Sequence, residues 1–214
     1  MTARYAFFTP TCQRDLAHFR LLRASIRRFA PDMRHLAAVQ TEDLPAFAEF
    51  AGEANLQLLS TAELLPPDIE RERRKRSTRP MRLNRLERSL QKRFGWFPKA
   101  SHDGWHCQQV AKFQAAMNPA FDGILLLDSD ALLTQPYDPR QFESPAGTVP
   151  ACASWQAGIA ADHWTRAAHQ LLDVPLPLGG RWWYVAQPSL FARAQVTDLC
   201  RRLVVAGFQP AAQV

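Results

Sequence analysis

Residues 124–130 read Ile124-Leu125-Leu126-Leu127-Asp128-Ser129-Asp130, an apolar run that ends in two carboxylates spaced i, i+2. A short, wholly apolar run has the character of a strand buried on both faces of an α/β sheet. In open α/β sheets, ligands bind outside the carboxyl ends of the strands. On extended backbone Asp128 and Asp130 project to the same side. Neighbouring anions repel, and burial raises their cost further. A divalent cation offsets that cost, and hard carboxylate oxygens suit magnesium or manganese. The run therefore predicts a strand with a metal site, Asp128 and Asp130, at its mouth.

The chain around this run has 214 residues and a hydrophobic fraction of 47%, enough for one substantial core and one domain over 1–214. No stretch approaches the uncharged apolar length of a membrane span. Arg14 and Asp15 soon interrupt the apolar N-terminal segment, so no signal peptide is visible. Cys12, Cys107, Cys152 and Cys200 are scattered, with no C-x-x-C pair. They read as reduced thiols of a cytoplasmic protein. The net charge of +6 belongs to one segment. Residues 71–93 hold 11 Lys/Arg against Glu72 and Glu87, a local net of +9 that leaves −3 for the rest.

Strand-like and helix-like segments alternate, which favours α/β. Ala3–Phe8 reads as a first strand closed by Thr9-Pro10-Thr11. Leu16, Phe19, Leu22, Ile26 and Phe29 make one apolar face of a helix over about residues 14–29, stopped by Pro31. His35–Val39 and Leu56–Leu59 read as strands. Between them Leu44–Phe50 reads as a short helix capped by Asp43. From 68 to about 101 a basic, Pro-punctuated excursion breaks the rhythm. Trp105–Met117 reads as a helix ended by Asn118-Pro119, and leads into the 124–130 strand. Beyond it, Val149–Ala153 and Trp182–Val185 are strand-like, and Asp162–Leu172 and Ser189–Val204 helical.

Three chemistries compete for Asp128 and Asp130: a nucleotide-sugar metal site, the nucleophile motif of an aspartyl-phosphate (HAD-like) phosphatase, and a structural turn in which the acids cap backbone amides. The phosphatase needs a downstream lysine and further acids. After Arg140 no lysine remains, and Asp162, Asp173 and Asp198 stand singly. The acidic strand also lies mid-chain, after a βαβ-like half, an order that suits a nucleotide-first sheet followed by a metal strand. His102, Asp103, His106 and Cys107 offer zinc-type ligands, but Gly104 interrupts them and no second cluster completes a site.

The first strand with Thr9-Pro10, the helix carrying Gly104-Trp105-x-x-Gln108-Gln109-x-x-Lys112, and the strand ending in Asp128-Ser129-Asp130 resemble the GT-A glycosyltransferase fold. More narrowly they resemble the DUF6492-type bacterial proteins, over most of residues 3–195. The resemblance implies a GT-A-like fold with a mixed, mostly parallel sheet flanked by helices. It also implies a nucleotide-sugar donor, manganese or magnesium as cofactor, and metal ligation by Asp130, with Asp128 at the ribose or in the metal shell. Thr9 and Pro10 would contact the nucleotide. Gln108 and Lys112, at i and i+4, share a helix face from which both reach a phosphate or sugar hydroxyl, with Gln109 and Trp105 beside them. Such a metal stabilises the charge that grows on the leaving diphosphate.

Many GT-A enzymes supply a third metal ligand, often His, near the C-terminus, whereas here none follows His169. Three explanations stay open: a protein shorter than usual, a sequence incomplete at its C-terminus, or a metal held by carboxylates, diphosphate and water. A base for the acceptor hydroxyl needs a carboxylate facing the sugar, and Asp162 is the candidate; an N-cap is its bland role. Gly179-Gly180-Arg181-Trp182-Trp183-Tyr184 offers aromatic faces for a sugar or base and a cation for phosphate. Trp155 is either core or acceptor-site wall. The expected function is metal-dependent transfer of a sugar to a glycan, lipid or protein acceptor. The rival is a non-catalytic GT-A-like protein docking on anionic surfaces through residues 71–93, with Phe94, Trp96 and Phe97 as interfacial anchors at the inner membrane face. No recognition-helix pattern points to specific nucleic-acid binding.

Overall fold

A computed structural model describes residues 4–77, 104–138, 143–144, 147–148, 154–157, 163–175, 180–183 and 189–205. Its main sheet has five strands: β1 (Tyr5–Thr11), β2 (Arg34–Val39), β3 (Leu56–Ser60), β4 (Gly123–Leu126) and β9 (Ser189–Ala192), in the order β3-β2-β1-β4-β9. β1, β2, β3 and β4 pair in parallel, and β9 runs antiparallel to β4. This is the mixed, mostly parallel α/β sheet that the sequence predicts. Two antiparallel pairs stand apart from it: β5 (Glu143–Ser144) with β6 (Gly147–Thr148), and β7 (Ser154–Ala157) with β8 (Gly180–Trp183).

Successive side chains of a strand point to opposite faces, and the central strands are apolar on both. One face carries Tyr5, Phe7, Ala37, Val39, Leu125 and Leu127. It packs against helix α1 (Leu16–Phe29) and a 3-10 stretch over Thr41–Phe50, through Phe19, Leu22, Ile26, Phe47 and Phe50. The other face carries Ala6, Phe8, Leu36, Ala38, Ile124 and Leu126. It packs against α2 (Thr61–Leu64), α3 (Pro67–Ser77), α4 (Gly104–Ala116) and α6 (Arg193–Val205). Helix α5 (His163–Leu172) meets α6. The buried face of α4 is a stripe of small residues, Cys107, Ala111 and Ala115, which lets the helix lie close to the sheet.

Several local expectations are corrected. β1 does not close at Thr9-Pro10-Thr11 but runs through Thr11 along β2. Pairing with β4 ends at Phe8, so Pro10 lies beyond that ladder and its missing N–H costs no bond on that side. The stretch after β2 is a 3-10 helix from Thr41 with Pro45 inside it. Asp43 does not cap it; its carboxylate accepts from the Gln13 amide at 2.8 Å instead. Ser189–Ala192 is a strand rather than the start of the last helix. Gly123 makes room for it, because a Cβ there would lie 3.0 Å from the Phe191 carbonyl oxygen. At α2 the Ser60-x-x-Glu63 spacing forms a capping box: Ser60 Oγ accepts from the Glu63 amide and Glu63 Oε2 from the Ser60 amide. Val149–Ala153, and residues 78–101 of the basic excursion, lie outside the described residues.

Candidate functional site

β4 ends at Leu126, and Leu127 still bonds Phe8 through its amide. The chain then turns, the Ala131 amide bonding the Asp128 carbonyl at 3.0 Å. Asp128, Ser129 and Asp130 are therefore not strand residues, and strand alternation does not set the direction of the two acids. What carries them is a turn at the carboxyl end of the sheet. Beyond it the segment is tied to α1: the Leu133 amide donates to Ser25 Oγ at 3.1 Å, and the Tyr137 amide to the Phe29 carbonyl at 2.9 Å. The Tyr137 ring meets Phe7 edge-on at 5.0 Å. The turn is thus anchored at both ends. Ser129 is buried within it, whereas Asp130 is exposed.

Asp128 lies just past the strand end, beside the face of Ile124 and Leu126 that α4 covers. There Lys112 comes to it, Nζ standing 3.8 Å from Asp128 Oδ1. The lysine side chain is 13% exposed and the carboxylate 50%. At that separation the contact is electrostatic, longer than a charge-assisted hydrogen bond of roughly 2.7–2.9 Å. Two features quoted together from the sequence, the helix with Lys112 and the acidic run, thus meet in space. Gln108 is exposed one turn earlier on the same helix, and Gln109 is half-buried. Trp105 is 50% exposed, not core, and touches His106 edge-on.

Asp128 and Asp130 offer hard oxygen donors of the kind magnesium and manganese take. Among the described residues no group of three or more His, Cys, Asp or Glu converges to hold a metal. A cation held by these two carboxylates alone would take its remaining positions from ligand oxygens and water.

Thr9 is placed differently from the expectation. It is fully buried, and its Oγ1 lies 2.9 Å from His35 Nε2. His35 Nδ1 stands 3.1 Å from Arg23 Nη1. A guanidinium only donates, so Nδ1 accepts, the proton sits on Nε2, and Thr9 Oγ1 accepts it. Arg23, 1% exposed, also donates to Glu53 at 2.9 Å. Burial, and secondarily the Arg23 charge, pushes the His35 pKa down to about 3. The imidazole is neutral, and the Thr9 hydroxyl belongs to the core. Pro10 is buried on the α4 side of the strand end. Thr11 Oγ1, further along β1, is buried with no hydrogen-bond partner among the described residues.

A second cluster closes the carboxyl ends of β2 and β3, and sequence reasoning missed it. Arg73 forms a two-pronged pair with Glu42, Nη1–Oε1 at 2.7 Å and Nη2–Oε2 at 2.6 Å. Its Nε donates to Glu70 Oε2 at 2.7 Å. Glu70 also receives Arg74, Thr41 and Thr61. Burial pushes the Glu70 carboxyl up, but the bonds from Arg73 and Arg74 outweigh it and hold the group below its usual range. The same arginine's bonds hold Glu42 down at about 2. The signal lay in the sequence: Glu70, Arg73 and Arg74 are spaced i, i+3, i+4.

β8 carries Arg181, Trp182 and Trp183, with Trp155 opposite Trp182 and Gln156 opposite Arg181. Asp162 lies outside the described residues. No described helix is long and apolar enough to cross a membrane.

No curated protein matches the chain. Among solved structures, the galactosyltransferase LgtC in complex with donor and acceptor sugar analogs is similar at 12% identity and a TM-score of 0.48, over 98% of this chain and 66% of that one. The chain spans just under two thirds of that protein's length. The model of a family of unknown function, DUF6492, matches residues 8–208. With nearly its whole length inside that match, the chain belongs to the DUF6492 family.

Proposed function

We propose that the chain binds a nucleotide-sugar at the carboxyl ends of β1 and β4 and transfers the sugar to an acceptor, with a divalent cation held at Asp128 and Asp130. The observation that carries this reading is the meeting of Lys112 with Asp128 beside the exposed Asp130. Two carboxylates and one ammonium at a strand mouth suit a ligand that brings both a metal and phosphate oxygens. Manganese or magnesium would supply charge compensation for the departing diphosphate. Asp130 and Asp128 would hold it by their oxygens, and Lys112 would balance charge beside them. Gln108, exposed one turn from Lys112, would donate to a phosphate or sugar hydroxyl. In the same reading Pro10, Trp105, Gln109, Arg181, Trp182 and Trp183 are contacts to donor or acceptor, and Asp162 is the candidate base.

The docking alternative loses part of its basis. Within α3, Arg73 and Arg74 pair with Glu70, Arg73 also with Glu42, and Lys75 with Glu72. Arg73 ties the helix to the fold, whereas the Arg74 and Lys75 pairs lie within the helix.

The test is thermal stability with UDP- and GDP-sugars, each with and without manganese. A nucleotide-sugar should raise the melting temperature only with the cation, and chelator should reverse the shift. Asp130→Ala should abolish the metal-dependent part and slow donor turnover by about 100-fold or more, the scale of losing one preorganised electrostatic contact. The reading is overturned if no donor shifts the wild-type chain and Asp130→Ala changes nothing.

A further inference from the structure

Lys112 is more than a neighbour of the acidic turn. Its side chain is largely buried against α4's surroundings, while the Asp128 carboxylate it faces is half in solvent. The contact is long enough to hold charge without fixing a hydrogen bond. A strongly held lysine would need shorter contacts, and a solvated one would have a freer stem. Lys112 has neither feature. It stands in a cation's position next to one of the two acids that would bind a divalent ion.

We infer that Lys112 is a resident counter-ion of Asp128, and that its displacement couples cation binding to diphosphate binding. This inference rests on the proposed function and adds a regulatory property to the same site. With no ligand, the ammonium neutralises Asp128. A divalent ion entering alone meets a like charge, and a carboxylate whose field is already spent. Asp130, exposed in the turn, offers too little alone. When a diphosphate arrives with the cation, Lys112 exchanges its carboxylate partner for phosphate oxygens, and Asp128 turns to the metal. Lys112 and Asp128 each have a partner before and after the exchange. The half-filled state, cation without diphosphate, is the disfavoured one. The coupling is reciprocal by linkage: diphosphate raises cation affinity by the factor by which cation raises diphosphate affinity.

A site so built ignores free metal and is filled only as the metal–diphosphate unit. That separates it from a site whose acids are preloaded with metal. The difference is visible in binding alone, without turnover.

The experiment is manganese binding followed by electron paramagnetic resonance on the full chain, with and without inorganic pyrophosphate, corrected for the manganese–pyrophosphate complex in solution. The variants are Lys112→Met, Asp128→Asn and the double variant, each checked for an unchanged melting temperature. In the wild type, pyrophosphate should raise manganese affinity by about tenfold or more, inside the usual range for coupled sites. Lys112→Met should bind manganese alone about tenfold more tightly than wild type and lose most of the enhancement. Asp128→Asn should bind manganese weakly, and adding Lys112→Met to it should recover nothing. If Lys112→Met matches or falls below wild type with manganese alone, while the wild type still binds manganese with pyrophosphate, the coupling is wrong and the metal site stands. If the wild type takes up no manganese even with pyrophosphate, both fall. Should Lys112→Met fold poorly, Lys112→Gln, which keeps most of the stem, carries the same comparison.

Discussion

Two side chains show how far residue type alone can mislead. Arg23 occupies the apolar face of α1 between Phe19 and Ile26 and is almost fully buried. Its spacing from Phe19 and Ile26 points it inward, and only its residue type marks it as a solvent residue. Its burial is tolerable because Glu53 and His35 take its N–H groups. Its partner His35 has a folded pKa of about 3 against an ordinary value of 6.5. The unfolded chain therefore takes up the proton first as pH falls. Stability declines below pH 6.5, by up to ~1.4 kcal/mol per unit, and the slope vanishes near the folded value. His35→Gln keeps an acceptor for Arg23 and a donor for Thr9 but does not titrate. Urea unfolding at several pH values between 6.5 and 5 should show a flatter profile for His35→Gln than for wild type. An identical slope would remove His35 as the source. Glu42 does not confuse that window, since its contribution is present above its usual pKa of 4.5 and fades as pH falls toward 2.

At the scale of elements, the apolar runs of β1, β2 and β4 were legible because strands buried on both faces need no partner to be recognised. β9 was not legible. Ser189-Leu190-Phe191-Ala192 runs directly into Arg193–Val205, and a helical continuation satisfies the local pattern equally well. What makes it a strand is the edge of β4, where Gly123 leaves room for the Phe191 carbonyl. Gly123→Ala should push that carbonyl or its strand away and cost about 1–3 kcal/mol. Equilibrium unfolding measures it, and a loss below a few tenths would show that β9 yields easily. The acidic run is a mixed case. Its apolar half is the strand expected, but the acids belong to the following turn, because the chain leaves the sheet for α1. Local sequence says where a strand becomes polar; the neighbouring helix decides where it ends.

Taken whole, the molecule is built around β1, flanked by β2 and β4 and covered on both faces. Among the described residues β3 is an edge strand, with mostly half-buried residues. Hydrogen exchange under native conditions should find the β1 and β4 amides opening only with global unfolding, and those of β3 opening earlier. Equal protection across the sheet would refute that ordering. The net charge of the chain belongs to residues 71–93, which made docking on an anionic surface the rival function. In α3 one of those charges is spent inside the fold, where Arg73 joins the ends of β2 and β3 through Glu42 and Glu70. The local net charge was correct as arithmetic, but it does not show where each charge is directed.

By itself the sequence determined the layers: apolar strands, an amphipathic α1, a helix carrying Lys112 and an apolar run ending in acids. These follow from patterns within a few residues, because burial selects side chains locally. Only the tertiary structure decided which polar groups meet. Lys112 with Asp128, Arg73 with Glu42 and Arg23 with His35 join residues 16, 31 and 12 positions apart in the chain. An electrostatic partner is chosen by distance in space, and spacing along the chain records that distance only within a turn or two of helix.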